Sequence, residues 1–246
     1  MADREGADTP EGLVAVPEVV AEIAGDDAVE AVWRNELGGM TFRLRGETRT
    51  RFAKWQPLRH RDGQREMPID LAVEARKLAW AGRFIAVPTV LDQGENAEGA
   101  WLVTRGVDGT AAYSARWRDD PETAVKAIAT GLRRLHDALP VDECPWRGSW
   151  PAVQATELPP PERLVVCHGD PCVPNTLIDA DGRFAGHVDL GQLGVADRWA
   201  DLAIATYSIS WEINFGRSYD DLFLATYGIH RDEDRLRSYR ELWDAG

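Results

Sequence analysis

The chain has 246 residues, 44% of them hydrophobic, enough to build one large domain or two lobes with packed cores. Acidic side chains outnumber basic ones 41 to 28, a formal net charge of −13, which argues against a nucleic-acid partner and favours cationic ones. No apolar run approaches the ~20 residues of a membrane span, and the acidic start Met1-Ala-Asp-Arg-Glu5 lacks the order of a signal peptide. A cytoplasmic protein with no membrane partner is the expectation.

In chain order, residues 1–12 read as a tail, 16–23 as a short helix, and 31–33, 40–44 and 50–55 as successive strands of an antiparallel sheet. Between the first two strands, Gly38 and Gly39 form a turn that would let backbone N–H groups approach a phosphate, an ordinary hairpin being the alternative. Lys54 follows on the third strand. Only three of the 28 basic residues are lysines, Lys54, Lys77 and Lys126, so a compact ammonium here is an unusual choice. Residues 58–68 read as a basic irregular loop. Residues 69–81 have helical spacing, carry Glu74 and end at Gly82. Apolar strands at 87–91 and 100–104 lead into Arg105-Gly-Val-Asp-Gly109, a hinge. Ala124, Ile128, Leu132, Leu135 and Leu139 then form a helical stripe over 121–139, with His136 on it as a structural residue. Residues 140–161 lack periodicity and read as linker and loop. Cys144, Cys167 and Cys172 are an odd set without zinc-site spacing and read as reduced packing residues.

The chemistry is concentrated in Leu164-Val-Val-Cys-His-Gly-Asp170-Pro-Cys-Val-Pro-Asn175-Thr-Leu-Ile178 and the returning Phe184-Ala-Gly-His-Val-Asp-Leu-Gly191. The pattern predicts a strand, a polar loop and a hairpin turning at Asp181-Gly182. The spacing His168-x-Asp170-x-x-x-x-Asn175, with Asp189-x-Gly191 a hairpin later, suits phosphoryl transfer from a nucleotide. One carboxylate accepts the acceptor hydroxyl's proton, while a carboxamide and a second carboxylate are hard oxygen ligands for Mg²⁺. Helices are expected at 197–209, capped by Asp197, then at 219–227 and 232–243.

These residues, together with Gly194-Val-Ala-Asp-Arg-Trp-Ala-Asp-Leu-Ala203, resemble the aminoglycoside phosphotransferases, in the 3′- and 3″-phosphotransferase branch. The resemblance implies an α+β, protein-kinase-like two-lobed fold: an N-terminal antiparallel sheet lobe with one helix over 1–104, a hinge at 105–109, and a mainly helical C-terminal lobe over 110–246. It implies transfer of the γ-phosphate of ATP, with GTP as the alternative donor, to a hydroxyl of a cationic aminosugar antibiotic, and hence resistance. By motif, Asp170 is the catalytic base and Asn175 and Asp189 are the Mg²⁺ ligands. Lys54, paired with Glu74, meets the phosphates; Met40 and Thr41 lie in the nucleotide-positioning loop; Phe52 stacks on adenine or fills the core; Thr104 and Val107 offer hinge main chain. Asp197 and Asp201 brace the catalytic loop. Glu212 and Asp244 are the candidates for substrate amines. Gln192 stands where many members have Arg, and the 140–161 segment is short for the family. Both departures keep open a kinase of another small alcohol, such as an amino alcohol or sugar. A non-catalytic nucleotide-binding homologue is a separate alternative, against which the presence of the base, both metal ligands, the lysine and the glutamate argues. Monomer and dimer are both compatible with the sequence.

Overall fold

Burial alternates strictly along residues 40–45, with Met40, Phe42 and Leu44 inside and Thr41 and Arg43 half-exposed, the period of a strand with one face on a core. In the computed structural model, which describes residues 10, 14–46, 50–61, 64–66, 69–148 and 158–245, this strand is the second of a five-stranded antiparallel sheet. All of the expected tail at 1–12 except residue 10, part of the 58–68 loop and the middle of the 140–161 segment lie outside the described residues. The chain divides into two units, 1–79 with 88–106, and 80–87 with 107–246.

The first unit opens with α1 (Glu18–Ala24) and strands β1 (Ala28–Arg34), β2 (Met40–Arg45) and β3 (Thr50–Pro57). A small hairpin, β4 (Arg59–Arg61) and β5 (Gln64–Glu66), precedes α2 (Leu71–Ala81), and β6 (Thr89–Glu95) and β7 (Gly99–Arg105) complete the sheet in the order β1-β2-β3-β7-β6. Val20 and Ala24 of α1 pack with Phe42, Leu44, Ala53 and Val103, so α1 covers one face. Phe42 and Leu44 are fully buried, each worth about 1.5–3 kcal/mol of apolar burial. On the other face the register sets Thr41 opposite Lys54, and Phe52 between Arg43 and Thr104. The expected strands and helices are present. Gly82 lacks the left-handed conformation of a helix-ending glycine, and the chain instead tightens into turns, with Phe84 and Ile85 N–H groups both donating to the Ala81 carbonyl.

The second unit gathers β8 (Thr110–Ala111), α3 (Ala115–Arg118), α4 (Pro121–Ala138), β9 (Leu164–Cys167), β10 (Thr176–Ile178), β11 (Phe184–His187) and β12 (Gly194–Asp197). Three further helices follow, α5 (Arg198–Ser210), α6 (Asp220–Tyr227) and α7 (Glu233–Ala245). Asp120 caps α4, accepting from Thr123 N, and Pro121 supplies its first turn. The stripe expected on α4 is buried: Ala124, Ile128, Leu132 and Leu135 are each at most 1% exposed and the first three join Trp199, Ile204, Phe223 and Tyr227 in one core. Residues 80–87 belong here through Trp80, whose ring packs on Phe84 and edge-on to Trp146. No helix among the described residues is long and apolar enough to cross a membrane.

Candidate active site

The loop after β9 runs through His168, Gly169 and Asp170 before a single 3₁₀ turn brings in Asn175 and β10. Its shape is imposed by α5. Asp201, fully buried, accepts His168 N–H at 2.6 Å on Oδ2 and Gly169 N–H at 3.0 Å on Oδ1. Burial alone would raise the Asp201 carboxyl, but the His136 hydrogen bond, the His136 and His168 rings and the Gly169 N–H outweigh it, and its pKa lies below the ordinary value. Gly169 holds φ +88°, and a Cβ there would meet the Gln192 carbonyl oxygen at 2.2 Å, so only glycine fits. His168 fixes the other flank: Nε2 donates to the Val188 carbonyl at 3.0 Å, and Nδ1 accepts the Asp170 N–H at 3.3 Å.

Asp170 Oδ1 is buried and has no hydrogen-bond partner among the described residues. The Asn175 carboxamide donates through Nδ2 to the Asp170 carbonyl at 2.9 Å, so that Oδ1 is the atom that could meet a cation, and Asn175 O accepts the Val188 N–H at 3.0 Å. That last bond ties the loop to the strand leading to Asp189. Asp189 has φ +61°, ψ +58°, a left-handed conformation that a non-glycine residue keeps only when its surroundings impose it. A carboxamide oxygen and a carboxylate on a hydrogen-bonded frame are the donor chemistry of a hard divalent cation, so the pair fits Mg²⁺.

In the first unit Lys54 Nζ lies 2.7 Å from Glu74 Oε1, and Glu74 is only 2% exposed, so the ion pair read from the sequence exists and its carboxylate is desolvated. Phe52 lies two residues away on the same face, with the Arg43 guanidinium 5.8 Å from its ring centre. Thr41 shares that face, being opposite Lys54. Two expectations need correction. The Met40 side chain, 8% exposed, points into the α1 core because alternation along β2 puts it with Phe42, leaving only its main chain for any ligand. The glycine turn does not offer N–H groups to a phosphate: Leu37 and Gly39 N–H donate to Asn35 Oδ1 at 3.0 and 2.7 Å, and Gly38 N–H to Asn35 O at 3.1 Å. Thr104 sits within β7 opposite Phe52 and Val90, and Val107 opens the second unit with its side chain against Gly186.

Asp197 caps α5 as expected, but the catalytic loop is not what it braces. It caps α5 through Trp199 N–H and accepts from Arg235 at 2.7 Å, Tyr239 at 3.2 Å and Arg163 N–H at 3.4 Å, fastening α7 and the start of β9 rather than the catalytic loop. Glu212 is exposed just past the end of α5, and Asp244 on α7 accepts from Tyr207 at 3.1 Å. Trp211 and Trp243 are packed on the core of the second unit. Sequence reasoning missed Ser208, whose Oγ accepts the Val173 N–H at 3.1 Å, and the residues on α4 and α6 that stand behind Asp201; no local pattern marks residues so far apart. His187 is fully enclosed; burial, helped by His168, pushes its pKa down to about 3, so it is a neutral packing ring.

The sequence profile of the phosphotransferase enzyme family matches residues 149–239, which span the loop, Asn175, Asp189 and α5. An aminoglycoside 3′-phosphotransferase of Streptomyces fradiae is 35% identical, covering 71% of this chain and 79% of its own length. A streptomycin 3″-kinase of Streptomyces griseus is 34% identical, covering 71% and 75%. Among solved structures, aminoglycoside phosphotransferase APH(3″)-Id from Streptomyces rimosus, in complex with ADP and streptomycin, superposes with a TM-score of 0.67 at 30% identity over 90% of this chain and 94% of that one. The chain belongs to the aminoglycoside phosphotransferase family, in the branch of the 3′- and 3″-phosphotransferases.

Proposed function

We propose that this protein transfers the γ-phosphate of ATP to a 3′ or 3″ hydroxyl of an aminoglycoside, with antibiotic resistance as the consequence. The observation that carries the reading is Asp170: a buried carboxylate oxygen without a partner among the described residues, on a loop whose neighbouring main-chain groups are engaged. A buried oxygen of this kind is completed by water, an ion or a ligand, and its place between His168 and Asn175 in the motif supports a ligand here. The names of the relatives, and the ADP and streptomycin bound to the S. rimosus enzyme, supply the nucleotide and the aminosugar.

In this mechanism Asp170 Oδ1 accepts the hydrogen bond of the attacking hydroxyl, orients its lone pair and takes its proton as the new O–P bond to the γ-phosphorus forms and the bond to the β,γ-bridging oxygen breaks, releasing ADP. Lys54, held by Glu74, meets the α- and β-phosphates, and Phe52 provides an apolar face for the adenine. Thr41, the Met40 main chain and the main chain of Thr104 and Val107 complete the nucleotide contacts. Asn175 Oδ1 and the Asp189 carboxylate would hold Mg²⁺, which when bound offsets phosphate charge. Glu212 and Asp244 meet substrate amines, and the acidic balance of the chain draws a polycation toward it. GTP in place of ATP needs only a different adenine-edge contact.

The test is ADP release with Mg²⁺-ATP against kanamycin, neomycin, streptomycin, plain aminosugars and amino alcohols, with Asp170→Ala as control. Turnover on an aminoglycoside, absent in the control, is the expected result. Turnover confined to a plain sugar or amino alcohol would replace the substrate, the outcome that Gln192 in place of a fixed charge would favour. Nucleotide binding with no turnover on any alcohol would overturn the reading.

A further inference from the structure

Asp201 is held from behind by two residues that no motif marks. On α4, His136 Nε2 lies 2.9 Å from Asp201 Oδ2, and its Nδ1 lies 2.8 Å from the Tyr227 hydroxyl at the end of α6. All three side chains are buried. An ionised carboxylate only accepts, so Nε2 carries the hydrogen; in the neutral ring Nδ1 then accepts from the Tyr227 hydroxyl. Burial pushes the Tyr227 phenol up to about 12, so its proton stays on and is available to donate. Tyr227 is itself pinned to α4: Arg133 Nη1 donates to its carbonyl at 3.1 Å and the guanidinium sits 5.6 Å from its ring centre.

The same neighbourhood has the composition of a metal site, since His136, Cys167 and Asp201 bring ligand atoms within 4.8 Å of one another. The chemistry is wrong for one. Burial raises the Cys167 thiol, which keeps its proton and donates to the Asp197 carbonyl at 3.4 Å, and both Asp201 oxygens are already taken by N–H donors. His136 and Asp201 belong instead to a hydrogen-bond relay that leaves Cys167 out. It runs from Tyr227 to His136 to Asp201 to the N–H groups of His168 and Gly169, two residues and one residue before Asp170.

We propose that His136 and Tyr227 are positioning residues for phosphotransfer: they lock the plane of the Asp201 carboxylate and through it the place of Asp170. The proposal rests on Asp170 being the base. Without His136, Asp201 keeps only two adjacent backbone donors and can turn about its Cβ–Cγ bond, and the loop that carries Asp170 turns with it. A misplacement of this kind lowers kcat and leaves nucleotide affinity alone, because Lys54 and its face of the sheet do not depend on it.

The test uses the full chain with Tyr227→Phe, which removes one hydroxyl, His136→Leu, which removes both ring nitrogens, and His136→Gln, which restores an N–H donor of similar reach. Turnover on the best alcohol and amide hydrogen exchange resolved at His168 and Gly169 are measured together. Expected are losses in kcat of about tenfold for Tyr227→Phe and about 100-fold for His136→Leu, substantial rescue by His136→Gln, KM for ATP within about twofold of wild type, and faster exchange at the two amides in the same order. Wild-type exchange at His168 and Gly169 in folded Tyr227→Phe and His136→Leu would overturn the proposal. So would exchange that rises equally throughout the second unit, which is the mark of a merely structural role. If the wild type phosphorylates no alcohol, the reading of Asp170 falls, and exchange at the two amides still decides whether His136 holds the loop.

Discussion

The two ends of the 168–170 loop carry carboxylates in opposite conditions. At Asp201, which grips its start, both oxygens accept N–H groups, the group is completely buried, and a histidine and a tyrosine stand behind it. At Asp170, its end, one oxygen is buried with nothing on it among the described residues. A fully satisfied network rigidifies, whereas an unsatisfied buried oxygen costs free energy until a ligand arrives. The first kind of site holds geometry; the second is open to a ligand, which is the role proposed for Asp170. Asp189, forced to φ +61°, belongs with Asp170 on the strained side of this division.

The comparison breaks most sharply at the open end. Asp170→Asn keeps the shape but cannot take a proton, and turnover measured by ADP release should fall by about 10²–10⁴-fold with ATP binding retained. Asp189→Ala should abolish turnover, and near-normal activity in either variant would remove the distinction. Asp201→Asn attacks the closed end and should cost stability, about 3 kcal/mol, because an –NH₂ would face the N–H donors. Here the pH dependence has a definite sign. The folded pKa of Asp201 is depressed, so its contribution is complete above the unfolded carboxylate value of about 4 and is lost as pH falls through the folded value. The gap in Tm between wild type and Asp201→Asn should therefore be widest near neutrality and narrow as pH falls below the unfolded carboxylate value of about 4; a constant gap would show that the charge of Asp201 is not what stabilises the loop.

What could be read from the sequence follows the same division. The residues proposed to do the work stood out because chemistry would fix their type and order: His168, Asp170, Asn175 and Asp189 sit close together along the chain. Long amphipathic elements were legible too, as the stripe on α4 and the alternation on β2 show. β12 was not, since four residues at 194–197 become a strand only by pairing with β9 some thirty residues earlier. Nor was the relay through positions 136, 201 and 227, which three separate helices bring together. The glycine turn misled because its Asn35, four residues before Gly39, closes the loop on itself, an Asx signal that was present in the sequence and outweighed the glycines.

A smaller effect is expected in the first unit. Lys54→Met should lower kcat/KM for ATP by about 10²-fold, and Glu74→Gln by about tenfold, since the lysine remains but loses the partner that aims it. Equal losses would mean that the pair acts only as a structural unit. Measurement of both variants against ATP and against the alcohol separates nucleotide positioning from acceptor binding.

The smallest effect tests whether distance alone says anything about energy. Arg183 and Asp181 lie 2.6 Å apart in the β10–β11 turn, as close as Lys54 and Glu74 at 2.7 Å. Yet their side chains are 74% and 68% exposed, against 27% and 3% for the other pair, so water competes for both charges and the net gain is small. The turn is held instead by Asp179, whose Oδ1 accepts the Asp181 and Arg183 N–H groups at 2.9 and 2.8 Å, and whose own N–H donates to the Arg183 carbonyl at 2.9 Å. Asp181→Ser should therefore leave Tm unchanged in thermal melts, while Asp179→Ala, which strands two turn N–H groups, should cost about 1 kcal/mol. An equal drop in both variants would place the stability of this hairpin in the exposed ion pair after all.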